Sequence, residues 1–177
     1  MASGAHASAA TDWTTPAGNG SDNSLSANTW AIGDYYQFTL STVGYSGIGV
    51  SFDTTGSGTG PRDFSFSYST DGLSFTDFAN YTVLLNGAPN LSWSTSNGYQ
   101  SAYTTTFDLS SITALNNEAT VYFRLVNTSA VAINEGVVGT GGTSRVDNFS
   151  VSVVPEPASA TLIGLGLLAL ISTRRRN

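Results

Sequence analysis

Several residue types that carry chemistry in proteins are missing from this chain or rare in it. Its 177 residues include no cysteine and no lysine, one histidine, and only 10% charged residues. The absence of cysteine excludes disulfides, thiolate metal ligands and a cysteine nucleophile, and the absence of lysine excludes a Schiff base. The one histidine, His6, lies near the N-terminus, so residues 13–154 contain neither a histidine metal cluster nor the base of a Ser-His-Asp triad. We therefore predict that the protein is not an enzyme.

Positive charge is also scarce outside the C-terminus. Residues 1–154 contain 11 acidic residues and three arginines (Arg62, Arg124 and Arg145), which gives a formal charge of −8. Such a surface repels phosphate groups, so we predict that the protein binds no nucleic acid. An anionic lipid or an acidic polysaccharide would need a bridging cation.

The hydrophobic pattern of residues 13–154 is that of β-strands. Phe64, Phe66 and Tyr68 alternate with polar residues, and Asp71-Gly72 follows at once, which predicts a hairpin with a tight turn. Similar patterns predict strands at 35–40, 48–52, 81–85, 103–109, 120–126 and 146–153, and one short helical turn within 109–117. Glycine-rich segments at 56–61 and 139–142 separate the strands. The predicted fold is all-β, an antiparallel β-sandwich of jelly-roll-like type.

The last predicted strand contains an acidic residue in an unexpected position. Strict alternation places Asp147 on the same face as Phe149, Val151 and Val153, which should be the core. A buried carboxylate is costly unless it is hydrogen-bonded or paired, which leaves three alternatives. Asp147 accepts hydrogen bonds from backbone amides or pairs with an arginine, it lies on a bulge that turns it outward, or it binds a structural Ca²⁺. The segment resembles the last strand of jelly-roll carbohydrate-binding modules, and that resemblance implies such a calcium site.

Three aromatic residues form the best candidate for a binding surface. Trp93, Tyr99 and Tyr103 lie in or beside a polar stretch, residues 90–106, and exposed aromatic rings stack against the apolar faces of sugars. The alternative is that Trp93 closes one end of the sandwich and that both tyrosines are ordinary strand residues. Trp13 and Trp30 are predicted to be core or edge-covering residues.

The C-terminus has three successive parts. Pro155-Glu156-Pro157 is followed by an uncharged segment, residues 158–173, and then by Arg174, Arg175 and Arg176. A 16-residue helix would be about 24 Å long, close to the thickness of a bilayer core. Because arginines beside a membrane segment stay in the cytoplasm, this pattern predicts a transmembrane helix with the C-terminus inside and residues 1–154 outside.

This order of parts resembles the PEP-CTERM sorting signal of bacterial surface proteins. The resemblance implies that an exosortase-like enzyme processes the chain at Pro155, Glu156 and Pro157, and that Arg174, Arg175 and Arg176 form the cytoplasmic anchor. It also implies that the protein is exported, is held only transiently in the inner membrane, and is associated with exopolysaccharide and biofilm.

The N-terminal segment, residues 1–12, lacks the basic and apolar regions of a signal peptide. However, Ala5-His6-Ala7 has the small-x-small form of a signal-peptidase site. We interpret the segment as the remnant of a signal peptide or a flexible N-terminus, with the missing part encoded upstream.

The sequence therefore predicts three units: residues 1–12, a β-sandwich domain at 13–154 and a sorting signal at 155–177. Its expected function is that of an exported, non-enzymatic β-sandwich protein of the cell surface or extracellular matrix. The first alternative is a carbohydrate-binding module, with extracellular polysaccharide as its partner. The second is a glycoside hydrolase, which would need two carboxylates about 5 to 9.5 Å apart in a cleft. No cofactor is expected other than the structural Ca²⁺ considered for Asp147.

Overall fold

The computed structural model describes residues 1–156, in which eleven strands and two single-turn 3₁₀ helices are present. The strands are β1 (Ala2–Ala5), β2 (Trp13–Thr14), β3 (Leu25–Ala27), β4 (Tyr35–Leu40), β5 (Tyr45–Gly56), β6 (Asp63–Ser69), β7 (Thr76–Thr82), β8 (Leu84–Leu85), β9 (Thr104–Asp108), β10 (Val121–Asn127) and β11 (Ser144–Pro155). The 3₁₀ helices are Ser101–Tyr103 and Thr113–Leu115. The second helix lies where the sequence predicted a short helical turn.

The strands form two sheets that pack face to face. The first sheet has the order β1-β4-β10-β6-β7, and the second has the order β2-β3-β11-β5-β8, with β9 also paired to β5. All pairs are antiparallel except the short β5–β8 pair. The predicted antiparallel β-sandwich is therefore confirmed. Within residues 1–156 no helix is long and apolar enough to cross a membrane, and the predicted helix at 158–173 lies outside the described residues.

Aromatic side chains from both sheets fill the core. Phe64 and Phe66 on β6, Phe123 on β10 and Phe52 on β5 are at most 1% exposed. Phe66 stacks on Phe123 within its own sheet, with ring centroids 5.6 Å apart, and on Phe52 across the sandwich at 6.0 Å. The two-residue period of β6 predicted this inward face correctly, because successive side chains of a strand point to opposite sides of the sheet.

The β6–β7 hairpin forms as predicted, but its connection is longer than a tight turn. Residues 70–75 separate the two strands. Asp71 Oδ1 accepts hydrogen bonds of 2.8 Å from the backbone amides of Leu73 and Ser74 and from Ser69 Oγ. These bonds lower the pKa of Asp71 to about 2, with the two backbone amides as the main cause. The carboxylate thus closes the loop, and Gly72 takes a positive φ of 72° within it.

The N-terminal segment belongs to the first sheet. Residues 2–5 pair with β4, and the buried ring of His6 lies 4.9 Å from the Trp13 ring and 4.2 Å from the Trp30 ring. Trp30 is 6% exposed, whereas Trp13 is 41% exposed and covers Gly4, where a Cβ would overlap the indole ring. Strand β1 therefore lies in the first sheet, on the N-terminal side of the predicted domain boundary at residue 13. Small residues gave no alternation from which to predict that strand.

Candidate functional site

A β-bulge decides where Asp147 points. Asp147 pairs with Asp53 on β5, but the next paired residue, Ser150, lies opposite Ser51, so β11 has one extra residue in this interval. Asn148, at φ 50°, absorbs the bulge. The alternation restarts after it, and Asp147 does not share the inward face of Phe149. The register shift therefore breaks the strict alternation that would place Asp147 on the core face, which is the arrangement that the bulge alternative describes.

The Asp147 carboxylate is held by the loop at residues 16–24. Its Oδ2 accepts hydrogen bonds from the Asn19 backbone amide at 2.8 Å and from Ser21 Oγ at 2.7 Å. Among residues 1–156, it forms no ion pair with an arginine. Two of the predicted alternatives thus hold together, since the residue lies at a bulge and accepts a backbone hydrogen bond.

Asp53, which is 1% exposed, is the residue of β5 that is paired with Asp147 on the neighbouring strand β11. Its oxygens accept hydrogen bonds from Asn19 Nδ2 at 2.9 Å, Asn148 Nδ2 at 2.8 Å and Thr104 Oγ1 at 2.6 Å. All of these donors are neutral. Like charges that face each other across strands are unfavourable, and a buried carboxylate must recover its lost hydration. The amide network therefore stabilises a carboxylate pair that has no counter-ion among the described residues.

The same geometry bears on metal binding and on hydrolysis. Residues 1–156 contain no group of three or more His, Asp or Glu side chains that could hold a metal ion. Calcium takes six to eight oxygen ligands, so backbone carbonyls and water would have to supply most of them at Asp147. Protein donors already occupy both Asp53 oxygens, so this pair does not present the open carboxylates that a glycosidase needs.

The structure separates the three predicted stacking residues. Trp93 is 4% exposed and Tyr103 is 2% exposed, and their rings pack edge to face with centroids 5.8 Å apart. The Tyr103 hydroxyl reaches the Leu91 carbonyl at 3.0 Å. Neither ring has a free face, so Trp93 and Tyr103 do not form the expected sugar platform. Tyr103 lies in the 3₁₀ helix Ser101–Tyr103 and not in a strand, as the alternative expected. Tyr99 is 57% exposed, with its hydroxyl bonded to Thr104.

A pocket of about 510 Å³ lies beside the Asp147 bulge, and Asp147 and Asn148 are part of its wall. Its wall is mainly apolar and includes Leu25, Phe38, Leu40, Val146 and Phe149. None of the three predicted stacking residues lines it. The polar residues of the wall include Asn23 and Ser24 together with the two bulge residues.

The sorting motif begins inside the sheet. Pro155 is the last residue of β11 and lies opposite Tyr45, and the Glu156 amide donates a hydrogen bond of 2.9 Å to the Gly44 carbonyl. The strand was predicted to stop at Val153, but it continues into the motif. Pro157 and Arg174, Arg175 and Arg176 lie outside the described residues. Only Pro157 separates Glu156 from the apolar segment that starts at Ala158.

A feature that the sequence analysis missed lies on the outer side of the first sheet. Arg124 lies between Phe123 and Leu125 on β10, both of which are fully buried, so its own side chain points outward. The guanidinium carbon is 3.9 Å from the centre of the Tyr35 ring and 3.6 Å from that of Phe75. Alternation in the predicted strand at 120–126 could have placed Arg124 on this face, but it could not bring Phe75 there.

Comparisons with known proteins identify the C-terminal sorting motif and find solved structures with a similar fold. Residues 153–176 match the PEP-CTERM protein-sorting motif. No curated protein sequence matches the chain. Among solved structures, the K3 cleaved adhesin domain of Lys-gingipain from Porphyromonas gingivalis w83 is 14% identical, with a TM-score of 0.51, over 85% of this chain and 90% of that one. This likeness supports the fold alone.

Other solved structures match with lower scores. The K1 cleaved adhesin domain of Lys-gingipain from the same organism is 12% identical, with a TM-score of 0.48, over 88% of this chain and 91% of that one. CBM35 from Cellvibrio japonicus Abf62 is 18% identical, with a TM-score of 0.42, over 86% of this chain and 97% of that one.

Proposed function

We propose that this protein is an exported β-sandwich of the cell surface or extracellular matrix. Its tail spans the inner membrane transiently with the C-terminus in the cytoplasm. An exosortase-like enzyme then removes the tail near Pro155, Glu156 and Pro157. The observation that carries this proposal is the sorting motif at 153–176, which joins the end of β11 and includes the terminal arginine cluster.

The position of the motif also supports removal of the tail. Only Pro157 lies between Glu156 and the uncharged segment, so the motif cannot lie far from the membrane surface once that segment is inserted. The motif overlaps only the last residues of β11, so cleavage near its Pro-Glu-Pro segment would leave nearly the whole domain in the released part.

The mass of the mature protein tests this proposal. In the producing cells, we expect the exported form to lack Arg174, Arg175 and Arg176, and the variant Glu156→Ala to retain them. The matched control, Glu118→Ala, changes an acidic residue outside the motif and should be processed as wild type. Intact-mass spectrometry of the cell-surface fraction measures all three. An exported wild-type protein that still carries the arginines would contradict the proposal.

A structural Ca²⁺ at Asp147 is a finer part of the proposal. Asp147 Oδ2, Ser21 Oγ and Asn23 O converge on Gly18, where a Cβ would overlap all three oxygens. Asp147 Oδ1 accepts no hydrogen bond from residues 1–156. Oxygen ligands around a carboxylate are the chemistry that Ca²⁺ prefers.

Removing calcium with a chelator is expected to lower the melting temperature by about 5 to 10 °C, as expected for loss of a ligand present at roughly 100 times its Kd. The variant Asp147→Asn should not respond to the chelator, whereas Asp108→Asn should respond as wild type. Differential scanning calorimetry of the full chain in neutral detergent measures this. An unchanged wild-type melting temperature would rule out the calcium site.

Carbohydrate binding remains the second candidate function. Of the predicted residues, only Tyr99 supports it, because its ring is largely exposed. The outer face of the first sheet offers a stronger case, since Tyr35, Gln37, Tyr122 and Arg124 lie on one side of neighbouring strands. Aromatic rings, an amide and a guanidinium are the groups that bind sugars in proteins.

A further inference from the structure

Arg124 is an arginine without an acidic partner in a strongly acidic domain. The ion pairs that arginines form within residues 1–156 belong to Arg62, which contacts Asp63 and Glu135. Arg124 donates one hydrogen bond, from Nε to Gln37 Oε1 at 2.8 Å, and its Nη1 and Nη2 donate none to the described residues. Residues 1–154 contain eleven acidic residues, so a shortage of acids does not explain why Arg124 lacks an ion-pair partner.

The guanidinium is held in a fixed orientation. In the order of the first sheet, Tyr35 on β4 lies to one side of β10, and Phe75, which precedes β7, lies to the other. Both ring centres are within 4 Å of the guanidinium carbon, so the two rings cover the planar faces of the group. The Gln37 bond fixes Nε. The remaining edge, with Nη1 and Nη2, therefore stays available as a two-donor fork.

A polar side chain beside Arg124 lacks a hydrogen-bond partner. Ser67 lies opposite Arg124 on β6, is 1% exposed, and has an Oγ without a hydrogen-bond partner among residues 1–156. Burial also lowers the pKa of Arg124 from its usual value, as expected for a cation that has lost water without gaining an anion. The protein thus leaves both a buried hydroxyl and a desolvated cation unpaired at the same place.

The shape of the fork selects the ligand chemistry. Two coplanar donors match the two oxygens of one carboxylate, which an arginine fork binds through parallel hydrogen bonds. Tyr122 and Thr39 lie next to the fork in the sheet register and can bond to hydroxyl groups. The acid nearest to these residues is Asp71, which accepts a hydrogen bond from Ser69 Oγ opposite Tyr122, and the amides of Leu73 and Ser74 also bind its carboxylate. Asp77 lies two strands away, about 10 Å by strand spacing, which is roughly one Debye length at physiological salt.

We propose that Arg124 binds the carboxylate of a uronic acid in an acidic polysaccharide, with Tyr35 and Phe75 holding the guanidinium and Tyr122 and Thr39 contacting the sugar hydroxyls. The protein itself then supplies the cation that its negative charge otherwise requires from solution. A repeating polymer offers this site many equivalent carboxylates, which raises the apparent affinity of one weak contact. The proposal deepens the carbohydrate-binding candidate described above by naming its ligand, and it uses the proposed surface location only to say where that ligand is encountered.

Affinity electrophoresis of the full chain in neutral detergent tests the site. The gels contain polygalacturonate or neutral dextran, with a chelator present so that bridging calcium plays no part. Arg124→Gln is compared with Arg145→Gln, which makes the same charge change on the second sheet, and with Arg124→Lys, which keeps the charge but removes the fork. Melting temperatures of all variants show whether each one is folded.

Polygalacturonate should retard the wild type and Arg145→Gln, and dextran should retard neither. Arg124→Gln should bind polygalacturonate about 10- to 100-fold more weakly, as expected for loss of hydrogen bonds to a charged group. Arg124→Lys should be intermediate. Equal weakening by Arg124→Gln and Arg145→Gln, equal retardation by dextran, or no retardation of the wild type would overturn the proposal. If Arg124→Gln does not fold, the proposal would also be overturned by finding that polygalacturonate retards Arg124→Lys as strongly as the wild type. Export and tail removal are measured separately by mass spectrometry, so the export proposal and the Arg124 proposal can each fail without the other.

Discussion

Replacing Asn19 with alanine is expected to lower the free energy of unfolding by about 3 kcal/mol or more, because buried partners of the side chain would lose their hydrogen bonds. Asn19 is 2% exposed. Its Nδ2 donates to Asp53 Oδ2 and to the Gln100 carbonyl, both at 2.9 Å, and its Oδ1 accepts from the Gln100 amide at 2.8 Å. The variant would leave a buried carboxylate with fewer donors and two backbone groups unsatisfied.

Urea unfolding of the full chain measures this effect. The control is Asn80→Ala, which removes the same atoms from an exposed position where the amide makes no side-chain hydrogen bond to residues 1–156. That variant should stay within about 0.5 kcal/mol of wild type. Equal stability of the two variants would mean that the network around Asp53 contributes nothing measurable. In that case water would have to replace the bonds of Asn19 at no cost.

Replacing Gly142 with alanine should destabilise the domain by about 3 kcal/mol, because overpacking against a backbone cannot be relieved by a side-chain rotation. A Cβ at Gly142 would overlap the Thr59 carbonyl, and a Cβ at Gly60 would overlap the Thr143 carbonyl. The two glycine-rich segments therefore meet backbone to backbone. The Ser57 amide donates to Thr143 O at 3.0 Å, and the Gly139 amide donates to Thr59 O at 3.0 Å.

The adjacent residue provides the control. Nothing lies within 4 Å of a Cβ built at Gly141, so Gly141→Ala should change stability by no more than about 0.5 kcal/mol. For a chain of this size, the difference between the two variants corresponds to roughly 6 to 12 °C in melting temperature. Equal melting temperatures of Gly142→Ala and Gly141→Ala would show that the two glycine-rich segments can separate without loss of stability. The sequence pattern predicts these glycines only as breaks between strands, but the structure adds a backbone contact that only glycine allows.

The strands were predictable to the extent that their patterns are local. Tyr35–Leu40 was predicted with the bounds that the structure has, because alternation and β-branched or aromatic residues act within the segment itself. The longer strands β5 and β11 extend past their predicted ends, since pairing with neighbours continues where the hydrophobic pattern has stopped. Strand β1 was missed because Ala and Gly carry no pattern, and its pairing with β4 is a tertiary contact.

The candidate sites were less predictable than the strands. Trp93 and Tyr103 lie in a polar stretch, and no local pattern indicates that their rings pack against each other. Asp147 stands out in the sequence as an acid in an apolar strand, but its orientation depends on one extra residue in β11 relative to β5. Arg124 is an ordinary strand residue in the sequence. It becomes a candidate site only because Tyr35, 89 positions away, and Phe75, 49 positions away, reach its two faces.

The amino-acid sequence by itself determined the all-β class, the inward face of β6 and the sorting signal. A strand's two faces follow from backbone geometry within a few residues, and a sorting signal is recognised as a linear order of motif, apolar segment and basic cluster. Only the tertiary structure decided which polar residues meet: Asn19 with Asp53 and Asp147, and Arg124 with its two aromatic rings. Those contacts depend on strand order and on a bulge, and both are fixed by the packing of segments that lie far apart in the chain.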